Sequence, residues 1–197
     1  NNFQLSAAET NQANAAFDPQ VTRTVELGTK WELLDKRLNV AAAIFRSVNE
    51  NQISYDLGST VPQQIGKKQV DGIELSAVGQ ITRQWQVTAA LAKTDVKQKN
   101  QRTSAGVSTS FASWDPDFSA TFWTSYLIDR LTLGVGARYM SKLTRAQIND
   151  NTTVATTNMV NVPSYTVVDA MIGYRINDRV DLRLNLYNLF DKEYAVT

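Results

Sequence analysis

Short turns and long polar excursions take alternate places along this chain, and the segments between them carry apolar residues at every second position. A strand has a side-chain period of two, so such a segment turns one apolar face and one wet face to its surroundings. Turns of two or three residues set neighbouring strands antiparallel. Their alternation with long excursions gathers the tight connections at one end of a meander and the long ones at the other. A soluble domain has no reason to keep that order, whereas a membrane-spanning barrel has one short-turn end and one long-loop end.

Eight segments in four hairpins follow from the pattern. In the first, Val25, Leu27, Thr29, Trp31 and Leu33 oppose Glu26, Gly28, Lys30 and Glu32; the chain reverses at Asp35 and Lys36, and Leu38, Val40, Ala42 and Ile44 rebuild the apolar side. The second runs from Val70 to about Lys93 and turns around Thr82 and Arg83. The third, Asp117 to Ser141, places Phe118, Ala120, Phe122, Thr124 and Tyr126 before a turn at Ile128, Asp129 and Arg130. Its return strand sets Leu131, Leu133, Val135, Ala137 and Tyr139 against Thr132, Gly134, Gly136 and Arg138. The fourth, Tyr165 to Leu189, turns at Asn177 and Asp178. Asn49 to Lys68, Asp95 to Trp114 and Lys142 to Pro163 are expected as long loops, and Asn1 to Pro19 as part of another.

Composition narrows the chemistry. With no His and no Cys, imidazole acid–base catalysis, cysteine nucleophiles and thiolate metal sites are excluded. Twenty Lys plus Arg against 19 Asp plus Glu, with no basic block, argue against a nucleic-acid surface. No apolar stretch reaches the roughly 18 residues of a spanning helix, but a spanning strand needs only about 9–11 alternating residues. Glu32 and Glu74 have no spacing that implies the carboxylate pair of a glycosidase, and Asn149, Asp150 and Asn151 lack the spaced carboxylates and glycine of a calcium loop. The chain is expected to be no enzyme and to hold no cofactor or metal of its own.

Trp31, Trp85, Trp114 and Trp123, with Tyr126, Tyr139, Tyr165 and Tyr174, fall near strand ends, where aromatic girdles meet the membrane interfaces; ordinary strand core is the alternative. Glu26, Glu32, Glu74, Arg138, Asp169, Arg175, Asp181 and Arg183 lie on the wet face and are expected to look into a lumen. Gly134 and Gly136 put no side chain there, either to make room or to let the strand bend.

The runs ELGTK (Glu26 to Lys30), VDGIE (Val70 to Glu74) and NLYNLFDKEY (Asn185 to Tyr194), in that order, resemble the carboxy-terminal part of the barrel of a TonB-dependent outer-membrane receptor, in particular the ferric-siderophore branch. The resemblance covers nearly the whole chain. It implies an all-β, antiparallel transmembrane β-barrel, with residues 1–197 supplying about eight strands of a barrel of about 22. The N-terminal plug domain and the last strand are expected to lie outside this sequence. Such a partial wall leaves sheet edges that hydrocarbon does not tolerate, so these residues alone are not expected to insert as a receptor.

The resemblance also implies the work. TonB-dependent uptake of a ferric siderophore, of catecholate type on the wording of the last hairpins, across the Gram-negative outer membrane is expected, with iron entering inside its chelator. The implied partners are that chelate, TonB through the N-terminal region, and outer-membrane lipid and lipopolysaccharide; the barrel is expected to be a monomer. Arg102, Trp114, Lys142 and Arg145, in or beside long loops, are the candidate ligand contacts, as a cationic and aromatic rim attracts an anionic chelate. Two other readings stay open. A porin-like diffusion channel has no plug, and a soluble all-β binding sandwich turns its apolar faces on each other.

Overall fold

The computed structural model describes residues 17–55, 62–103, 106–111, 115–144 and 161–195. Its elements are β1 (Val21–Leu33), β2 (Leu38–Tyr55), β3 (Pro62–Gln80), β4 (Trp85–Thr103), β5 (Gly106–Phe111), β6 (Phe118–Ile128), β7 (Leu131–Met140), β8 (Leu143–Thr144), β9 (Asn161–Val162), β10 (Tyr165–Asn177) and β11 (Val180–Leu186). Eight of them form one sheet in the order β1-β2-β3-β4-β6-β7-β10-β11, every neighbour antiparallel. β5 pairs with the upper part of β4, and β8 with β9. β1 and β11 stand at the two edges of the sheet.

The register carries the alternation across the whole wall. One row of partners reads Ala42, Leu75, Leu91, Ala120 and Tyr139, and the neighbouring row, one residue along, reads Lys30, Ala41, Ser76, Ala90, Thr121 and Arg138. The first kind of row faces outward and stays bare: Val25 is 77% exposed, Leu27 72% and Leu182 58%. Only Leu143, Val162 and Val167 are buried apolar side chains among the described residues. No second layer covers the apolar face there, so the sandwich reading, which needs apolar faces in mutual contact, is overturned.

Each tight turn has its own local cause. Leu34, Asp35 and Lys36 take positive φ (54, 55 and 65°), closed by the Arg37 N–H donating to Leu34 O at 3.2 Å. The Thr82 hydroxyl accepts from the N–H groups of Gln84 (3.3 Å) and Trp85 (3.1 Å). Asp129 and Arg130 make a two-residue hairpin with Asp129 at φ 52°. The last turn is Asp178–Arg179, one residue beyond its expected place, because the Asn177 side chain accepts from the Arg179 N–H at 2.9 Å and a bulge follows Arg175. Along the shared ladder the four turns fall at the rows of Leu33–Leu38, Gln80–Gln86, Ile128–Leu131 and Arg175–Asp181, each lower than the last. That stagger is the one tilted barrel strands require.

Two of the long excursions are corrected, while most of the third, Lys142 to Pro163, lies outside the described residues. Asn49 to Lys68 is mostly strand, since β2 continues to Tyr55 and β3 begins at Pro62; β4 likewise runs through Thr103, with β5 behind it. β2, β3 and β4 are 18, 19 and 19 residues long, against the roughly 9–11 that cross a membrane. Their upper halves rise beyond the apolar band as a wall with both faces wet. Alternation disappears where neither face meets hydrocarbon, so the sequence pattern reads as loop. Bulges at Asn51 (φ 62°) and Asn100 (φ 56°) bend that wall.

Candidate functional site

The functional surface is the concave face. Between β1 and β6 it is paved with small side chains, Gly28, Ala41, Ala43, Ser76, Ala90 and Ala92 among them, with Glu26, Lys30 and Glu74 standing on it. The hollow they line measures about 630 Å3. Small residues at alternate positions cost the strands nothing in backbone pairing and leave free cross-section inside the wall.

The β6–β11 half is bulky and cross-linked. A Cβ on Gly136 would lie 2.4 Å from Trp123 Cε3, and one on Gly134 2.8 Å from Trp123 Cζ2. The indole therefore lies flat over both glycines, on the lumen side, and Phe45 covers Gly72 in the same way. Both readings of Gly134 and Gly136 give way to a third: the room they leave is filled by Trp123. Gly134→Ala is expected to destabilise the full-length protein by roughly 1–3 kcal/mol, as overpacking does. In a Trp123→Ala background the same change should cost less than half as much, read from unfolding midpoints in detergent; equal costs in both backgrounds would remove the indole from that place.

A polar clamp holds the end of the chain to this half. Arg138 Nη2 meets Asp169 Oδ2 at 3.2 Å, and Asp169 Oδ1 accepts the Asn188 N–H at 2.9 Å. The Asn188 side chain brackets Lys192, accepting from its N–H (2.9 Å) and donating to its carbonyl (3.2 Å). Tyr194 then stacks on Tyr165, ring centroids 4.6 Å apart. The NLFDKEY run is thus an inward-folded turn seated on β10, with Asn188 and Asp191 both at positive φ (50 and 48°). Lower down, Arg175 and Asp181 pair directly across the hairpin at 3.5 Å.

Of the expected girdle, Trp31, Trp85, Tyr126, Tyr139 and Tyr174 do face outward. Trp123 and Tyr165 are corrected to the lumen face, and Trp114 lies outside the described residues. The charged residues expected on the wet face share the inward rows of the register. Of the candidate ligand contacts, Lys142 is exposed just past β7. Arg102 belongs to β4 rather than to a loop, and Arg145 lies outside the described residues. Lys68, on the inner side of the raised wall, pairs with Asp115 at 3.1 Å and was not singled out from the sequence. No group of three or more potential metal-ligating side chains gathers among the described residues. What the arrangement can do is line a passage, hold something against its bulky half and leave its hollow half open.

The sequence matches the family described as TonB dependent receptor-like, beta-barrel, over residues 1–189. It is 38% identical over 200 residues to the catecholate siderophore receptor Fiu of Escherichia coli K12, covering all of this chain and 26% of that protein. It is 37% identical to the probable TonB-dependent siderophore receptor PiuA of Acinetobacter baumannii, over 93% of this chain and 25% of that one. The closed-form crystal structure of the E. coli ferric-catecholate import receptor Fiu superposes with a TM-score of 0.79 at 37% identity, over 93% of this chain and 25% of that structure. The chain thus spans about a quarter of the length of these relatives.

Proposed function

Because this chain belongs to the TonB-dependent receptor β-barrel family, we propose that it is a wall segment of an outer-membrane receptor that takes up a ferric siderophore, of catecholate type, by a TonB-driven mechanism. One observation carries the reading: a continuous, bare apolar band on the convex face backs a concave face of small and charged residues. An open sheet with that division is the wall of a barrel whose outside is lipid and whose inside is water. The names of the relatives at 37–38% identity favour the catecholate class.

In this mechanism no substrate bond breaks, and the protein acts as no enzyme. Iron stays inside its chelator, so the barrel binds the chelate as a whole. The raised wall of β2–β4 forms part of the vestibule that meets the ligand. The bulky, clamped half of the lumen supports a plug contributed by other residues of the receptor. The hollow along β1–β6 gives the chelate its path once TonB has shifted that plug.

The test is uptake of radioiron, presented as a ferric catecholate and as a ferric hydroxamate, by cells that carry the full-length protein as their one receptor for these chelates. Accumulation of the catecholate, abolished when TonB is deleted, is the expected result. Preference for the hydroxamate would overturn the ligand class. Passage of uncharged sugars into liposomes bearing the purified protein alone would point instead to a porin-like channel.

A further inference from the structure

The inner side of the raised wall holds one internal contact that stands where an anion would. In the inward rows of β1–β4 above the row of Gly28, Ala43, Glu74 and Ala92, Lys68 is the one cation among the described side chains. Arg23, Arg46, Lys67, Lys93, Lys97 and Lys99 all belong to outward rows. Thr22, Asn49 and Gln98 share the row of Lys68 and are uncharged. Asn49 is directly opposite Lys68, yet its Oδ1 is buried without a hydrogen-bond donor among the described residues.

Lys68 reaches instead for a carboxylate 47 residues along the chain: its Nζ donates to both oxygens of Asp115, at 3.3 and 3.1 Å. Asp115 lies in the short segment that leads into β6. That segment is fastened to β4 independently of the ion pair, because the Thr94 N–H donates to Asp117 O and the Thr94 hydroxyl to Pro116 O, each at 2.9 Å. Pro116 fixes its own φ and stiffens the segment further. The Asp115 carboxylate can therefore leave Lys68 while its backbone stays in place.

Leaving is easy. The two side chains are 30% and 34% exposed, and an ion pair so open to water is a weak bond. A multiply charged anion attracts the same ammonium more strongly than one carboxylate does. We propose that Asp115 is a built-in competitor for the anionic chelate: it neutralises Lys68 when no chelate is bound, and a ferric catecholate displaces it to contact the ammonium and the polar groups of the same row. The inference rests on the uptake reading above, with the raised wall on the outer side. Displacement makes the contact selective, because an uncharged solute gains nothing from freeing Lys68. It also keeps the contact reversible, since the tethered carboxylate stays close enough to take the lysine back as the chelate moves inward.

The test is equilibrium binding of a ferric catecholate to the full-length receptor in mild detergent, followed by quenching of tryptophan fluorescence. Asp115→Asn should tighten binding roughly three- to tenfold, the effect of removing one competing charge beside an anion at a wet surface. Lys68→Gln should weaken binding roughly tenfold, as a hydrogen bond to a charged group is lost, and Lys68→Arg should restore most of it. In the Lys68→Gln background, Asp115→Asn should gain less than about twofold, because no cation is left to free. Asp95→Asn, which unpairs Lys97 on the outward face of the same strands, should stay within about twofold of wild type. Unaltered heat-modifiable mobility on gels keeps misfolding out of the comparison. If Asp115→Asn binds no tighter than wild type, or gains as much without Lys68 as with it, the inference is overturned and the uptake reading stands. A wild type that binds no ferric catecholate would overturn both.

Discussion

Val135→Arg should destabilise the folded receptor by roughly 2–4 kcal/mol, the cost of an arginine on the lipid face near the bilayer midplane. Val135 lies at the middle of β7, 45% exposed on the outward side, with Thr124 and Ala170 as its partners in the ladder. The guanidinium would have to reach an interface about half a membrane away, farther than its side chain extends. Ser125→Arg, one register row below and on the opposite face, is the control. There the new charge faces the polar lumen instead of hydrocarbon, and the expected cost is smaller than at Val135. Unfolding of the full-length protein in bilayers, followed by urea titration, gives both numbers. A larger cost at Ser125 than at Val135 would invert the assignment of the two faces, and with it the barrel.

The second large effect is expected at Gly79. Its φ of +148° is open to glycine and strained for other residues, and a Cβ there would come within 2.0 Å of Arg37 O. The close approach is functional in the fold, because that same carbonyl accepts the Gln80 N–H at 2.8 Å and ties the end of β3 to the first tight turn. Gly79→Ala combines a disfavoured backbone state with a backbone clash that no rotamer can relieve, and should cost roughly 2–4 kcal/mol. Gly28→Ala is the comparison, since a Cβ at Gly28 meets nothing closer than 3.4 Å and the change should stay within about 0.5 kcal/mol. Thermal unfolding of the two variants side by side decides it; matched midpoints would mean that β3 does not need the bend.

Much of this architecture was legible in the chain itself. The period of two placed Leu133, Val135 and Tyr139 outward and Arg138 inward, and the tight turns at Asp35, Thr82 and Asp129 set the antiparallel pairing. Even the position of Trp123 was within reach. A two-residue turn at Asp129 and Arg130 puts Trp123 opposite Gly136, and Phe122 with Thr124 had already taken the lipid side. The assignment to a girdle followed residue type instead of register, and register is what a sheet obeys.

The height of β2–β4 above the membrane was not legible. Alternation arises only where one face meets hydrocarbon, so a strand wet on both sides leaves no mark in hydropathy, and its backbone pairing is invisible in sequence. The hollow along β1–β6 and the clamp of Arg138, Asp169 and Asn188 join residues far apart in the chain, and only the rows of the ladder bring them together. Which faces are apolar, where the chain reverses and hence that it builds a barrel wall follow from the order of residues, because those depend on neighbours along the strand. How tall the wall stands and what its inner face holds emerge with the fold, because those depend on neighbours across it.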